Sequence, residues 1–181
     1  MHGDDGAAVG GRSPRDGLTV ARPIEQRGVR VDAPAGCEAR LRTRVPDADE
    51  VQGAAVAAAA AGEERLVLHV STVALPAHRG DFGGGVVEQL GRDDVFVAVL
   101  ELEPDQAGSA FVRRDGIPRS LAPGRYATDT MQRTIHGQAG TQVFFAQGGR
   151  AFCLYVVLGS HARRNELART VNRILEGIEI S

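Results

Sequence analysis

The chain has no lysine and no tryptophan, and all 21 of its basic residues are arginine. Without lysine there is no phosphate-gripping P-loop lysine, no kinase-type lysine, no Schiff base with pyridoxal phosphate and no Ser-Lys dyad. Cysteine is scarce, with only Cys37 and Cys153. Cys153 lies in an apolar run and reads as a buried small hydrophobe. A Cys37–Cys153 bridge is left open, with no motif behind it. The histidines (His2, His69, His78, His136, His161) form no HxH or HExxH spacing and the cysteines no CxxC, so neither a metal nor a cofactor is expected. His69 falls inside a strand pattern and reads as a hydrogen-bonded sheet residue.

Long apolar runs are missing as well. The longest is an alanine tract near residue 58, and no signal-type h-region precedes it, so a cytoplasmic protein off the membrane is expected. A formal charge of −2 gives no general attraction to nucleic acid. In the most basic stretch only Phe111 and Tyr126 could stack on bases, so no nucleic-acid partner is expected. The alanine, glycine and arginine usage is that of a GC-rich bacterial genome.

The clearest positive signal runs from Gln142 to Ile180. Val143–Ala146 and Ala151–Leu158 are rich in β-branched and aromatic residues, and Gly148-Gly149 between them suits a two-residue hairpin turn with positive φ at both positions. Counting from the turn pairs Gln147 with Arg150, Phe145 with Phe152 and Phe144 with Cys153. The second strand is apolar on both faces and should lie inside a sheet. Leu167, Val171, Ile174, Leu175 and Ile178 then make one helical stripe. Ser160 is the expected N-cap, Gly177 a left-handed stop, and Ile178 is expected to fold back on the last turn.

Residues 1–27 lack hydrophobic periodicity and read as a disordered tail, leaving 28–181 as one domain. Val29–Asp32 and Cys37–Leu41, around Pro34-Ala35-Gly36, read as a second hairpin. Residues 47–62 are alanine-rich and read as a helix or a connector. Strands are expected at Leu66–Leu75 and Val95–Glu103, a short helix over Phe82–Gly91, a further strand at Met131–Ile135, and a sheet continuation at Phe111-Val112. Arg113–Asp129, with Pro118 and Pro123, reads as a long surface loop. The fold class is α+β: a mainly antiparallel sheet of five to seven strands packed with a C-terminal amphipathic helix.

The opening VRVDAPAGCEARL, a middle strand–helix–strand, and the closing GRAFCLYVVLGSHARRNELARTVNRILEGIEI together resemble the Mog1/PsbP-like α+β sandwich. They also resemble uncharacterised actinobacterial proteins of that layout; Cys37 stands where the opening turn often carries tryptophan. The resemblance implies an adaptor, small regulator or assembly factor. Shape alone does not carry function.

Two loops stand out. His78 to Gly85 spells Arg-Gly-Asp and Asp-Phe-Gly, but no signal peptide accompanies the first and no HRD or lysine the second. Gly83, Gly84 and Gly85 could cradle an anion with backbone N–H groups or simply lead into a helix. The second loop is part of a charge asymmetry: Asp81–Asp105 holds seven acids and one arginine, while Arg113–Arg133 holds five arginines and two acids. The two stretches could neutralise each other within the fold, or Arg113, Arg114, Arg119 and Arg125 could grip an acidic protein or anion. No catalytic residue emerges. The favoured reading is a non-enzymatic adaptor or regulator whose partner protein the sequence does not name. The alternatives are an anion- or small-molecule-binding domain, such as a weak hydrolase on the 80–85 loop, or an oligomerising structural subunit.

Overall fold

The computed structural model describes residues 22–44, 64–110, 112 and 114–181. Most of the expected tail, the 47–62 segment, Phe111 and Arg113 lie outside the described residues. Eight strands and one α-helix occur among the described residues: β1 (Ile24–Gln26), β2 (Val29–Val31), β3 (Glu38–Arg44), β4 (Arg65–Ser71), β5 (Val95–Glu101), β6 (Ala139–Gln147), β7 (Arg150–Leu158), α1 (Arg164–Glu176) and β8 (Ile178–Ile180). They form two antiparallel sheets, a five-stranded one in the order β3-β4-β5-β7-β6 and a three-stranded one in the order β1-β2-β8. The class is α+β.

β6 and β7 are the expected hairpin. Gly148 (φ 60°) and Gly149 (φ 74°) make the turn, and Gln147↔Arg150, Phe145↔Phe152 and Phe144↔Cys153 are the register. Phe145 and Phe152 stack with ring centres 5.3 Å apart. β7 is interior and buried from Ala151 to Leu158, because both sheet faces are covered. Over one face lie Leu167, Val171, Ile174 and Leu175 of α1, with Val29, Val31, Ile178 and Ile180 of the small sheet. Over the other lie loop residues Leu75, Val86, Val87, Leu90 and Met131, facing Val67, Phe96, Ala98, Cys153 and Tyr155. Both cysteines are free thiols, and burial pushes Cys153 up to about 11.

Several expectations are corrected. The opening hairpin does not form, since β2 pairs with β1 and β8 while β3 pairs with β4. Pro34–Gly36 carries the chain from one sheet to the other instead of folding it back on itself. Order also begins before residue 28, because Ile24 faces Val31 around the Arg27-Gly28 turn. Phe82–Gly91 holds only a short 3-10 turn, Val87–Gln89. Met131–Ile135 and Val112 form no strand.

The helix N-cap is Arg163 in place of Ser160, with no side-chain cap bond. Gly177 is not left-handed (φ −83°). Glycine is required there for a different reason: a Cβ would run into the carbonyl oxygen of Asp32, which lies against Gly177 because Asp32 N–H donates to Gly177 O at 2.9 Å. That contact holds the small sheet to the end of α1. Ile178 therefore starts β8 and does not fold back.

Candidate docking recess at the sheet edge

The glycine-rich loop is tied down from both sides. Asp81 forms ion pairs with Arg42 and with Arg44, the latter at 2.9 Å. His69 on β4 is fully buried. Its Nε2–H donates to Asp81 O at 2.7 Å and its Nδ1 accepts from Arg79 Nε at 2.8 Å, which fixes a neutral ring. Burial lowers its pKa to about 4, against the pull of the Asp81 bond and helped by Arg79 and Arg42.

Gly83, at φ 81°, rests on Phe96, where a Cβ would sit 2.5 Å from the ring. Gly83 N–H donates to Gly80 O and Gly85 N–H to Glu88 Oε2. Two of the three glycine amides are therefore spent inside the loop. Beside Gly84 lies a mostly apolar depression of about 180 Å³ walled by Phe82, Val87, Met131, Tyr155 and Val157. That is below the roughly 300 Å³ at which small-molecule pockets begin.

The arginine-rich stretch divides differently. Arg119 donates from Nη1 to Ile178 O at 2.6 Å and Leu175 O at 3.3 Å, so it satisfies one carbonyl of β8 and one left over at the end of α1. Asn172 on α1 accepts from Leu121 N–H at 2.8 Å, and Ile117, Leu121 and Tyr126 enter the core. The loop is thus fixed to the helix side of the sheet. Arg114 and Arg125 remain exposed and line one recess of about 390 Å³ with Pro118, Ser120, Leu121, Gln142, Val143 and Phe144.

The acids of 81–105 find their partners mostly elsewhere. Glu101 pairs with Arg150 on β7 at 2.8 Å, and Glu103 with Arg65 on β4 at 2.9 Å. Burial pushes Glu101 up, but hydrogen bonds from Arg150 and Leu66 N–H outweigh it and hold its carboxyl below the usual range. Among the described residues of the basic stretch only Arg133 crosses to this region, reaching Glu88 at 3.5 Å with both side chains exposed. Among the described residues Arg114 and Arg125 have no carboxylate partner, and Arg114 makes one hydrogen bond, to Gly116 O at 3.2 Å.

The wall of the recess is an edge of the five-stranded sheet, because β6 is its terminal strand. At one end of β6, Gly116 N–H donates to Ala146 O and Ala146 N–H to Arg114 O; at the other, Ala127 and Gly140 exchange two bonds. Sequence reasoning found Arg114 and Arg125 but missed Gln142 and Ser120, whose position depends on the strand order.

Among the described residues, no group of three or more His, Cys, Asp or Glu side chains could hold a metal ion, and no helix is long and apolar enough to cross a membrane. No family model, no curated protein and no solved structure matches the chain.

Proposed function

We propose that this chain is a non-enzymatic binding protein, an adaptor or regulator of the bacterial cytoplasm, that docks an acidic segment of a protein partner in the Arg114–Arg125 recess. The observation that carries this is the charge ledger. Arg42, Arg44, Arg65 and Arg150 each meet a carboxylate, and Arg79 and Arg119 are bonded to His69 and to main-chain carbonyls, whereas among the described residues these two, at the mouth of one recess, meet no carboxylate. Guanidinium groups suit carboxylates because they present parallel N–H donors. Element order supports a Mog1/PsbP-like sandwich, with early short strands, a late hairpin and a C-terminal helix over the sheet; the middle helix of that layout is reduced here to a 3-10 turn.

An anion or small-molecule site on Gly83–Gly85 has less behind it, since two of its amides are already used and the adjoining depression is small. The test is fluorescence anisotropy with a labelled oligoglutamate peptide at low and high salt. The wild-type chain should bind at low salt, and Arg114→Ala with Arg125→Ala should weaken binding by about tenfold or more. Wild-type and double-variant proteins that bind alike, or a wild type that does not bind, would sink the reading.

A further inference from the structure

The depression beside Gly84 holds two polar groups that the fold leaves half used. Its walls are mostly apolar, and Tyr155 and Val157 of β7 form part of them. Gln138 lines it too, although this residue is only 4% exposed. Its Nε2–H donates to Val87 O at 2.8 Å. A main-chain carbonyl can only accept, so this bond fixes which end of the amide faces Val87 and leaves Oε1 over. Among the described residues nothing donates to Oε1, which is buried. A buried acceptor in that state costs stability until a donor reaches it.

Tyr155 supplies the complementary group. Its hydroxyl accepts from Gln132 N–H at 3.1 Å, and among the described residues nothing accepts its own proton. Burial raises its pKa, so the proton stays in place at neutral pH. The depression is therefore lined by one residue with an O–H to give and another with a C=O to fill, and the two do not bond to each other. A single hydroxyl on a ligand can accept from the first and donate to the second.

Size and charge narrow the ligand further. A space of about 180 Å³ is too small for a cofactor, yet an apolar cavity of about 150 Å³ holds benzene. The rings of Phe82 and Tyr155 meet edge to face, 5.3 Å between centres and 87° between planes, and Met131 adds a thioether. Such walls suit an aromatic ring. Glu88 and Arg133 also border the depression, but they pair with each other at 3.5 Å and leave no net charge to match.

We propose that this depression binds a neutral single-ring phenol, its ring against Phe82, Met131 and Val157 and its hydroxyl accepting from Tyr155 and donating to Gln138 Oε1. The site uses none of the glycine amides and is independent of the arginine recess.

Titration of the wild-type chain with phenol, followed by NMR, should shift the Gln132 main-chain amide and the Gln138 side-chain amide. Toluene, which matches phenol in size and lacks the hydroxyl, should bind about tenfold more weakly or worse. Tyr155→Phe keeps the ring and removes the donor; it should weaken phenol by about threefold to tenfold and leave toluene unchanged. Arg114→Ala with Arg125→Ala should bind phenol like the wild type, so this site and the peptide site stand or fall separately. The proposal is overturned if phenol shifts neither amide, which would mean that water alone fills the space, or if phenol and toluene bind equally. It is overturned as well if Tyr155→Phe weakens both alike, or if the arginine variant loses phenol. Should Tyr155→Phe fail to fold, the wild-type ratio of phenol to toluene decides alone.

Discussion

The two edges of the five-stranded sheet are both lined with arginine, and they use it in opposite ways. On β3, Arg40, Arg42 and Arg44 project on one side of the strand, and each meets a carboxylate: Glu38 for the first, Asp81 for the other two. Asp81 brings the glycine-rich loop with it, and the loop closes over His69 and Phe96. Beside β6, the nearby loop is fixed to α1 and β8 through Arg119 and Asn172 and to the core through buried apolar residues, so Arg114 and Arg125 are not needed to hold it. Charge spent on packing leaves none for a partner. The difference shows that a dense run of arginine says little about binding until its carboxylates have been located.

That contrast can be broken at several levels. Both edges depend on the shared core, and Leu175→Ala, which truncates a fully buried side chain of α1, should cost about 2–5 kcal/mol by chemical denaturation. A loss well below one would mean that α1 is not docked as described.

His69 separates the edges by pH. Its folded pKa of about 4 lies below the unfolded value of about 6.5, so the unfolded chain takes up a proton first as pH falls. Stability from this residue is complete at pH 7, declines below about 6.5 and is lost by about 4, a total near 3 kcal/mol. Denaturation midpoints across that window should show the slope in the wild type, and His69→Gln should flatten it.

Asp81→Asn, which strips the carboxylate from two partly buried arginines, should cost about 1–3 kcal/mol. The smallest effect belongs to the other edge: Arg114→Ala with Arg125→Ala should shift stability by no more than about 0.5 kcal/mol, as exposed side chains do. Equal costs for these last two changes would erase the distinction between the edges.

How far the sequence carried the argument follows from the range of each interaction. The β6–β7 register could be counted because Gly148-Gly149 and its flanking residues are contiguous, and α1 announced itself by a periodic stripe. The small sheet could not be seen, since its strands are three residues long and Val29 meets Ile180 from the far end of the chain. Gly177 was flagged for the wrong reason: its neighbour Asp32 belongs to a distant segment, and a local rule could supply only positive φ. Arg114 and Arg125 were visible as charge. That Arg119 is bonded into the fold, that Asp81 is neutralised from β3, and that Gln142 lies on the terminal strand all depend on long-range contacts, which no local pattern encodes.

The β2–β8 pairing has a consequence for how the chain is made. Ser181 N–H and hydroxyl both donate to Gly28 O, across 153 positions. The β1–β2 hairpin is too short to be stable alone, so β2 waits, unpaired on the side that β8 will take, until residues 178–180 have left the ribosome. The hairpin β6–β7 and then α1 emerge before them and can build the surface on which β2 settles. A pause or truncation anywhere before residue 178 would therefore leave Val29 and Val31 exposed, and the small sheet would mark whether translation reached the end of this segment.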